Sequence, residues 1–355
     1  MTDLVSCSAD SVNGINYDST IINRSIASVF NGGKLSTEES ESLFMHLFSG
    51  NISEVELSGI LIAMKLRGET PEEISGAARS MRRFSTKIDL CNKEIFDTCG
   101  TGGDNSHSFN ISSSVALILA SIGIPVAKHG NRSMSSRSGS TDFYEKLGIP
   151  VNLTGDDAVE YFKRHNFIYM AAPNYHPAMK YAAPVRRQLG TRTIFNYLGP
   201  LTNPAGTRKQ AIGFFSPELL PLYAETARAL SFDRALIYSS CDGMDEISPY
   251  APSNIYEIES GDMRSFTIDP AEFLKSSEAA EIPKGLAAED NADLFMKTAG
   301  RGEATPLAKL ISMNAAVAMY AHNSENEIKE SYSRCLEAVT DGSVMQKVME
   351  LRESN

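Results

Sequence analysis

The stretch that decides the fold begins with Asp97-Thr-Cys-Gly-Thr-Gly-Gly-Asp104 and continues through Lys128-His-Gly-Asn-Arg-Ser-Met-Ser-Ser136. Residues 95–96 end a short apolar strand, and the glycines that follow allow the backbone to turn sharply with bare N–H groups facing outward. Asn110 and Ser112 then begin an apolar helix, so the positive end of its dipole lies beside the glycine turn. This segment predicts a strand, an anion-binding turn and a helix.

The strand-turn-helix pattern is repeated further along the chain. A short apolar strand at residues 125–127 leads into a turn at 128–140 that contains Lys, His, Asn, two Arg and five Ser, and Ser140 begins the next helix. Taken alone, the first turn is as typical of an ordinary tight turn as of a ligand loop, and it matches neither the Walker pattern nor the dinucleotide fingerprint. The second turn favours a ligand, because a solvated loop rarely collects so many donors. Together they predict a site for a polyphosphate or phosphosugar.

The chain divides into segments of different character. Residues 1–20 are polar and without period, which predicts a mobile tail. Residues 21–90 have helical periodicity and predict a small helical domain. Residues 91–175 and 204–355 alternate short strands with helices, which predicts a large α/β domain with an open, mostly parallel sheet flanked by helices. In this interpretation the helical insert 176–203 leaves the sheet and joins the small domain as part of the hinge.

Local helix signals are strongest in the small domain. Three capping boxes mark helix starts, at Ser36 with Glu39, Ser53 with Glu56, and Thr70 with Glu73. The apolar stripes behind them fit a bundle core or, if partly exposed, a dimer face, and the sequence leaves both open. Near the other end of the chain, the apolar period predicts one continuous amphipathic helix from about Ser324 to Leu351.

The composition limits the classes of function. A formal net charge of −11 argues against general nucleic-acid binding. A local basic cluster can still form within an acidic chain, and its candidates are Lys128, Arg132, Arg137, Arg186, Arg187 and Arg192. No signal peptide is evident, and no stretch approaches the roughly 18 apolar residues of a membrane span. We therefore expect a soluble, cytoplasmic protein that binds neither nucleic acid nor membranes.

The cysteines indicate a reducing compartment. The five cysteines are odd in number and scattered, and they contain no Cys-x-x-Cys pair, so neither a disulfide framework nor a zinc site is expected. Cys99, just before the glycine turn, is either a nucleophile or a small buried filler. We favour the filler because no base is evident nearby. No side-chain nucleophile or general base is assigned.

Three further positions carry chemistry. Asp245 and Glu246 are either an exposed acidic turn or oxygen ligands for Mg²⁺, and the predicted phosphate site favours the metal. Arg186, on the insert, is either a surface residue or a carboxylate-binding group that faces the cleft between domains. His129 and His176 lie beside these motifs and receive no chemical role.

The combined motifs resemble those of the anthranilate phosphoribosyltransferase family of tryptophan biosynthesis. The likeness runs from about Ile22 to the C-terminus, and its two glycine- and lysine-containing motifs are highly specific in this order. The matching residues are Gly100–Asp104, Phe109–Ser112, Lys128–Ser133, Ser135–Ser136, Ser138–Ser140, Tyr175–His176, Pro184–Arg186, Thr191–Thr193, Phe195–Asn196, Leu198–Pro200 and Gly243–Glu246.

The resemblance implies a small helical domain and a large α/β domain of the kind shared by nucleoside phosphorylases and phosphoribosyltransferases. It implies transfer of the phosphoribosyl group of phosphoribosyl pyrophosphate (PRPP) to the amine of anthranilate, with release of pyrophosphate. It also implies Mg²⁺ as cofactor, with two ions per subunit, and a homodimer formed through the helical domain.

The resemblance also implies site residues. Anthranilate would be held by Gly100, Asn131 and Arg186, and the metals by Ser112, Asp245 and Glu246. PRPP would be held by Gly100, Gly103, Asp104, Ser108, Asn110, Ile111, Ser112, Ser113, Lys128, His129, Gly130, Asn131, Arg132, Ser133, Met134, Ser135, Ser136 and Ser140.

Departures from the family pattern are minor, and two other functions remain open. Asn105 replaces a common Gly, His107 a usual Asn, and Ser108 a typical Thr whose hydroxyl it keeps. The nearest alternative is a pyrimidine nucleoside phosphorylase, which shares the fold and acts at C1 of a ribose. The other is a catalytically silent relative that binds nucleic acid in the cleft, which the net charge of −11 disfavours.

Overall fold

A computed structural model describes residues 19–104, 106, 108–132, 138–300, 302–324 and 327–352. The predicted mobile tail falls almost entirely outside these residues, and so do Asn105, His107 and Arg137. Of the predicted PRPP residues, Ser133, Met134, Ser135 and Ser136 also lie outside them.

The described chain begins with four helices, which are α1 (Ser19–Phe30), α2 (Thr37–Phe48), α3 (Glu54–Arg67) and α4 (Pro71–Phe84). The three predicted capping boxes are confirmed at the starts of α2, α3 and α4. In each, the hydroxyl of the cap residue accepts from the N–H three residues on, and the glutamate there accepts from the N–H of the cap residue. Free N–H groups at the helix starts are thereby satisfied, which sets where these helices begin.

Seven strands form one sheet in the order β3-β2-β1-β4-β5-β6-β7. They are β1 (Phe96–Asp97), β2 (Val126–Gly130), β3 (Phe167–Ala171), β4 (Lys209–Gly213), β5 (Arg234–Ser240), β6 (Ser253–Glu259) and β7 (Asp262–Ile268). The first five strands in this order are parallel, and β6 and β7 add an antiparallel hairpin at one edge. The predicted open, mostly parallel sheet is confirmed. The prediction ended the second strand at residue 127, but β2 continues to Gly130 because it pairs with β3 along its whole length.

The remaining helices cover the sheet or belong to the insert. They are α5 (Ile111–Ser121), α6 (Ser140–Lys146), α7 (Gly155–His165), α8 (Ala172–Tyr175), α9 (Ala183–Leu189), α10 (Phe195–Leu198), α11 (Leu220–Ala229), α12 (Ser276–Ala279), α13 (Ala288–Ala299), α14 (Pro306–His322), α15 (Ile328–Thr340) and α16 (Ser343–Arg352). No helix of the described residues has the length and apolarity needed to cross a membrane.

The described residues form three apolar clusters, and the two larger ones lie on opposite sides of the sheet. On one side, α5, α6 and α13–α16 surround a cluster that contains Leu117, Phe143 and Phe295. On the other side, α1–α4, the insert and α11 share a cluster with β4 and β5, in which Phe44 and Phe195 meet edge to face at 5.9 Å. The insert thus packs with the first four helices.

The C-terminal helix differs from its prediction. The expected continuous helix is divided into α15 and α16, with Asp341 and Gly342 between them. Gly342 has φ +92°, a left-handed conformation in which a helix cannot continue and glycine is favoured. The apolar period does not reveal this break, because Val339, Val344 and Val348 on its two sides are all buried in the same core.

Candidate active site

Five parallel strands end at one edge of the sheet, and the turns that follow β1, β2 and β5 form the candidate site. The turn after β1 contains the glycines, the turn after β2 is rich in hydroxyl groups, and the turn after β5 contains Asp245 and Glu246. Strand β4 lies between β1 and β5 and ends at Gly213. The carboxyl edge of an open parallel sheet is the usual place for ligands in α/β proteins.

The glycine turn is bonded to the acidic turn. The N–H of Gly102 donates to Oδ2 of Asp245 at 2.7 Å, and the N–H of Asp245 donates to Oδ2 of Asp104 at 3.2 Å. Gly102 and Gly103 have φ of +65° and +77°, where other residues are strained. A Cβ added to Gly100 would lie 3.5 Å from Oδ2 of Asp245, so this glycine faces the carboxylate.

Glu246 lies against the first turn of α5. The N–H of Ser112 donates to Oε1 of Glu246 at 3.0 Å, which places the glutamate at the positive end of the helix. Burial raises the pKa of Glu246 to about 7, although Lys128 and Ser112 oppose the rise. The pKa of Asp245 is raised well above its usual range by burial and by the carboxylates of Asp104 and Glu246.

These carboxylates fit a magnesium ion. Among the described residues, no group of three or more His, Cys, Asp or Glu forms a preformed metal cage. Mg²⁺ does not need one, because it commonly binds one or two carboxylates together with waters and substrate phosphates. Burial is the largest cause of the raised pKa values of Asp245 and Glu246, and the neighbouring carboxylate of Asp104 raises both further; a divalent cation would favour the charged forms.

Lys128 and His129 support the turns from within the sheet. Lys128 lies on β2 and is only 1% exposed, and its Nζ donates to both the carbonyl and the hydroxyl of Thr98 at 3.1 Å. The N–H of His129 donates to Asp97 at 3.2 Å, and its Nδ1 donates to the carbonyl of Gly199 at 3.2 Å. Burial lowers the pKa of His129 well below its usual range, so the ring is neutral.

Arg186 is half-buried on α9, and its guanidinium stacks over the ring of Phe195 at 5.2 Å. None of the described residues forms an ion pair or a hydrogen bond with this guanidinium, and burial lowers its pKa. The insert that carries it contacts the glycine turn, because Arg192 donates to the carbonyl of Gly103 and stacks over Phe215 at 4.2 Å. Arg186 therefore has no carboxylate partner among the described residues, and it lies on a segment that contacts the glycine turn.

Comparison with known proteins identifies the family. The model of the glycosyl transferase family a/b domain matches residues 92–345, and that of the family's helical bundle domain matches residues 23–85. Anthranilate phosphoribosyltransferase of Clostridium kluyveri is 38% identical over 336 residues, which cover 94% of this chain and 100% of that protein. The enzyme of the same name from Desulfosudis oleivorans is 36% identical over 333 residues, covering 94% and 98%. The chain belongs to the anthranilate phosphoribosyltransferase family.

Solved structures of this family have the same fold. The enzyme from Thermus thermophilus matches with a TM-score of 0.86 and 34% identity, covering 93% of this chain and 98% of that one. Anthranilate phosphoribosyltransferase from Saccharomyces cerevisiae, solved in complex with PRPP and Mg, matches with a TM-score of 0.84 and 24% identity, covering 95% and 98%. At that lower identity the yeast structure supports the fold alone.

The other residues that the family resemblance assigns to PRPP differ in burial and in their partners within the protein. Arg132 pairs with Asp142 at 2.5 Å and also with Glu145. Asn110 accepts a hydrogen bond from the Ser138 hydroxyl at 2.7 Å, so α5 is joined to the turn after β2. Of the remaining predicted residues, Ile111 and Ser113 are buried, and Ser108, Gly130, Asn131 and Ser140 belong to the same group of turns and element ends.

Sequence reasoning missed two residues that support the turns of the candidate site. Gly213 lies so close to the acidic turn that an added Cβ would be 1.7 Å from the carbonyl oxygen of Asp245. Asp97, inside the motif but given no role, accepts from His129 and from Nδ2 of Asn203 at 2.7 Å and is fully buried. A glycine at the end of a predicted strand was the one available signal for Gly213, because such a glycine often marks a close backbone approach.

Proposed function

We propose that this protein transfers the phosphoribosyl group of PRPP to the amine of anthranilate, giving N-(5-phosphoribosyl)anthranilate and pyrophosphate. This is the second step of tryptophan biosynthesis from chorismate. One observation carries the proposal: the glycine turn, the N-terminus of α5 and the pair Asp245–Glu246 are bonded together at one edge of the sheet. This arrangement provides N–H donors and metal ligands for one pyrophosphate group.

The chemistry requires stabilisation of the leaving group. The amine nitrogen of anthranilate forms a bond to C1 of the ribose, the bond from C1 to the pyrophosphate oxygen breaks, and the amine loses a proton. The N–H groups of the glycine turn and the first turn of α5 are positioned to stabilise the negative charge that develops on pyrophosphate. The aromatic amine is neutral at pH 7 and carries its own lone pair, so no strong base is needed before attack.

We assign the metal ligands to Asp245 and Glu246, with Ser112 beside them, and propose two Mg²⁺ ions per subunit. Asp104 adds a third carboxylate next to Asp245. Since each Mg²⁺ commonly binds one or two carboxylates, three of them suit two ions. Bound Mg²⁺ would supply charge neutralisation on the pyrophosphate oxygens.

Arg186 is proposed to orient the second substrate. Its guanidinium has no acidic partner among the described residues and can form a bidentate pair with the carboxylate of anthranilate. The carboxylate is ortho to the amine, so holding one directs the other toward C1 of the ribose. Asn131, together with Gly100 at the turn, is assigned to the same substrate.

We further propose that residues 21–90 and the insert 176–203 form a domain that closes over the site and excludes water. This domain is also proposed to form the homodimer, because Val55 and Leu66 on α3 are 83% and 81% exposed. We place the reaction in the cytoplasm, since PRPP is too highly charged to cross a membrane. Four cysteines of the described chain are free thiols, which suits a reducing compartment.

The test of the proposed function is the loss of anthranilate fluorescence in the presence of purified protein, PRPP and Mg²⁺. We expect a loss that requires all three and stops on addition of EDTA. Aniline, which has the amine but no carboxylate for Arg186, is the matched control and should react far more slowly. Phosphate-dependent cleavage of a pyrimidine nucleoside, without loss of anthranilate, would move the protein to the phosphorylases. Inactivity in both assays would contradict the proposal as well.

A further inference from the structure

A second polar cavity lies at the opposite edge of the sheet from the candidate active site. Its volume is about 270 Å³, and its walls come from the end of α4, from the segment before β4 and from the loop before β5. Since β4 and β5 are parallel and their carboxyl ends face the glycine turn, this cavity lies at their amino ends. Its lining includes Arg82, Lys87, Thr207, Arg208 and Phe232.

Arg82, at the end of α4, lines this cavity. Its Nε donates to the carbonyl of Leu201 at 2.6 Å, and its guanidinium lies 5.7 Å from the centre of the Phe232 ring. Among the described residues, its two terminal nitrogens have no hydrogen-bond acceptor, and no carboxylate pairs with it. Burial, together with the positive charges of Arg208 and Arg79, lowers the pKa of Arg82 to about 10. Arg82 is thus a half-buried guanidinium that has no anionic partner among the described residues.

Two other donors of the lining, Thr207 and Lys87, have no partner among the described residues, whereas the Ser85 hydroxyl and Nδ2 of Asn203 are already bonded within the protein. The hydroxyl of Thr207 is buried and has no hydrogen-bond partner among the described residues. Lys87 is exposed at the rim, and the described chain gives it no ion pair. Arg208 pairs with Asp233 at 2.6 Å, but no Asp or Glu of the described residues lines the cavity itself. The lining therefore carries an excess of positive charge, and its buried polar atoms without a partner among the described residues are the Thr207 hydroxyl and the acceptor Oε1 of Gln210.

A larger opening elsewhere in the molecule shows the opposite situation. It has a volume of about 530 Å³ and lies between the start of α2 and the α3–α4 loop. The arginine in its wall, Arg67, already pairs with the carboxylate of Glu73 at 2.8 Å. Nε and Nη1 of Arg67 have no partner among the described residues, but Glu69 and Glu72 also line this opening, so its charge does not favour an anionic ligand.

We propose that the cavity beside Arg82 is a binding site for a small tetrahedral oxyanion of the size of phosphate or sulfate. The guanidinium of Arg82 and the hydroxyl of Thr207 bind the anion inside the cavity, and Lys87 closes the rim. The bound anion joins α4 of the helical region to the amino ends of β4 and β5. This site is separate from the proposed active site, whose glycine turn and acidic turn lie at the opposite, carboxyl edge of the sheet.

The first test locates the anion directly. Crystals of the full chain are soaked in saturating selenate, and the anomalous signal of selenium is mapped. We expect a peak within hydrogen-bonding distance of the terminal nitrogens of Arg82, and we expect Arg82→Met to remove it. Arg83→Met is the matched control, because Arg83 is the next residue on α4 and pairs instead with Glu41 at 2.9 Å. A wild-type map that shows water and no selenium peak beside Arg82 would overturn the proposal, whether or not selenate binds at the glycine turn.

A second test does not depend on the folding of the Arg82 variant. Lys87→Gln changes an exposed side chain, so the variant should fold normally. Since an anion that binds only the folded state raises Tm with its concentration, sulfate titrations followed by thermal unfolding report the affinity. In Lys87→Gln, we expect the sulfate concentration required for a given rise in Tm to be about threefold to tenfold higher than in the wild type. In Arg83→Met, we expect this concentration to be the same as in the wild type. Identical titrations in all three proteins would show that this cavity does not bind the anion.

Discussion

The N–H of Gly102 donates a hydrogen bond to the carboxylate of Asp245 at 2.7 Å, although the two residues are 143 positions apart in the chain. This bond joins the turn after β1 to the turn after β5 across the end of β4. The glycine turn and the acidic pair are therefore one unit, and a change in either turn should be felt in the other.

Removing the charge of the acidic pair should weaken the dependence on magnesium. In Asp245→Asn and Glu246→Gln the amide oxygen can still accept from Gly102 or Ser112, but the negative charge is lost. We expect the Mg²⁺ concentration for half-maximal activity to rise about tenfold or more, corresponding to at least about 1.4 kcal/mol of binding free energy. Titration of activity with Mg²⁺ measures this. Asp262→Asn, at the exposed tip of the β6–β7 hairpin, should behave as wild type. An unchanged metal titration in both acidic variants would show that they are not ligands.

A methyl group at Gly213 should displace the acidic turn. An added Cβ would be 1.7 Å from the carbonyl oxygen of Asp245, so the backbone has to move. Overpacking of this kind costs about 1–3 kcal/mol of stability or more. We expect Gly213→Ala to lower Tm and to reduce activity at saturating substrates. Gly199→Ala is the control, because Gly199 has helical dihedral angles and open space around it. Equal activity in the two variants would contradict the assigned role of Gly213.

The elements that could be predicted from the sequence are those encoded by neighbouring residues. A capping box needs only four consecutive positions, and the boxes at Ser36, Ser53 and Thr70 were all found. The parallel sheet followed from short apolar runs alternating with helices. The break at Gly342 was missed because a single glycine competes weakly with an apolar period that continues on both sides of it.

The relationships that could not be predicted join distant parts of the chain. Lys128 was assigned to the polar turn after the second strand, but β2 continues to Gly130 between β1 and β3 and buries this lysine. The close approach of Gly213 to Asp245 depends on the strand order, which one sequence does not give. The binding roles of Lys128, Asn131 and the other site residues remain predictions.

Truncation of Arg186 should affect one substrate selectively. Hydrogen bonds to charged groups contribute about 1.5–3 kcal/mol, which corresponds to roughly 10- to 150-fold in affinity. We expect Arg186→Ala to raise KM for anthranilate by a factor in this range, while KM for PRPP changes little. Steady-state kinetics with each substrate varied in turn measures both. Arg187→Ala, the exposed neighbour on α9, serves as control. A similar rise in both KM values would exclude the assigned role.

Burial of His176 should make stability depend on pH. Its pKa is lowered from 6.5 to about 4 because the ring is buried, and the His129 ring lies 5.0 Å away. Between these values the unfolded chain binds a proton that the folded protein does not. The resulting stabilisation is present above pH 6.5 and is lost as the pH falls toward 4. Between pH 7 and pH 5, the free energy of unfolding of the wild type should fall by about 2 kcal/mol more than that of His176→Asn. Urea unfolding at both pH values measures this, and parallel losses in the two proteins would refute it.

The outer face of α3 should mediate self-association. Val55 and Leu66 are 83% and 81% exposed, and their spacing of 11 residues is close to three turns, so they lie on one face of the helix. Phe30, at the end of α1, is 51% exposed, and its ring lies close to Gly59 of α3. An aspartate at position 66 would have to lose its hydration in an interface, so Leu66→Asp should shift the protein from dimer to monomer. Sedimentation velocity across a concentration series measures this. Met349→Asp, at an exposed site on α16, should leave the mass unchanged. A dimer that persists in Leu66→Asp and in the double variant with Val55→Asp would place the interface elsewhere.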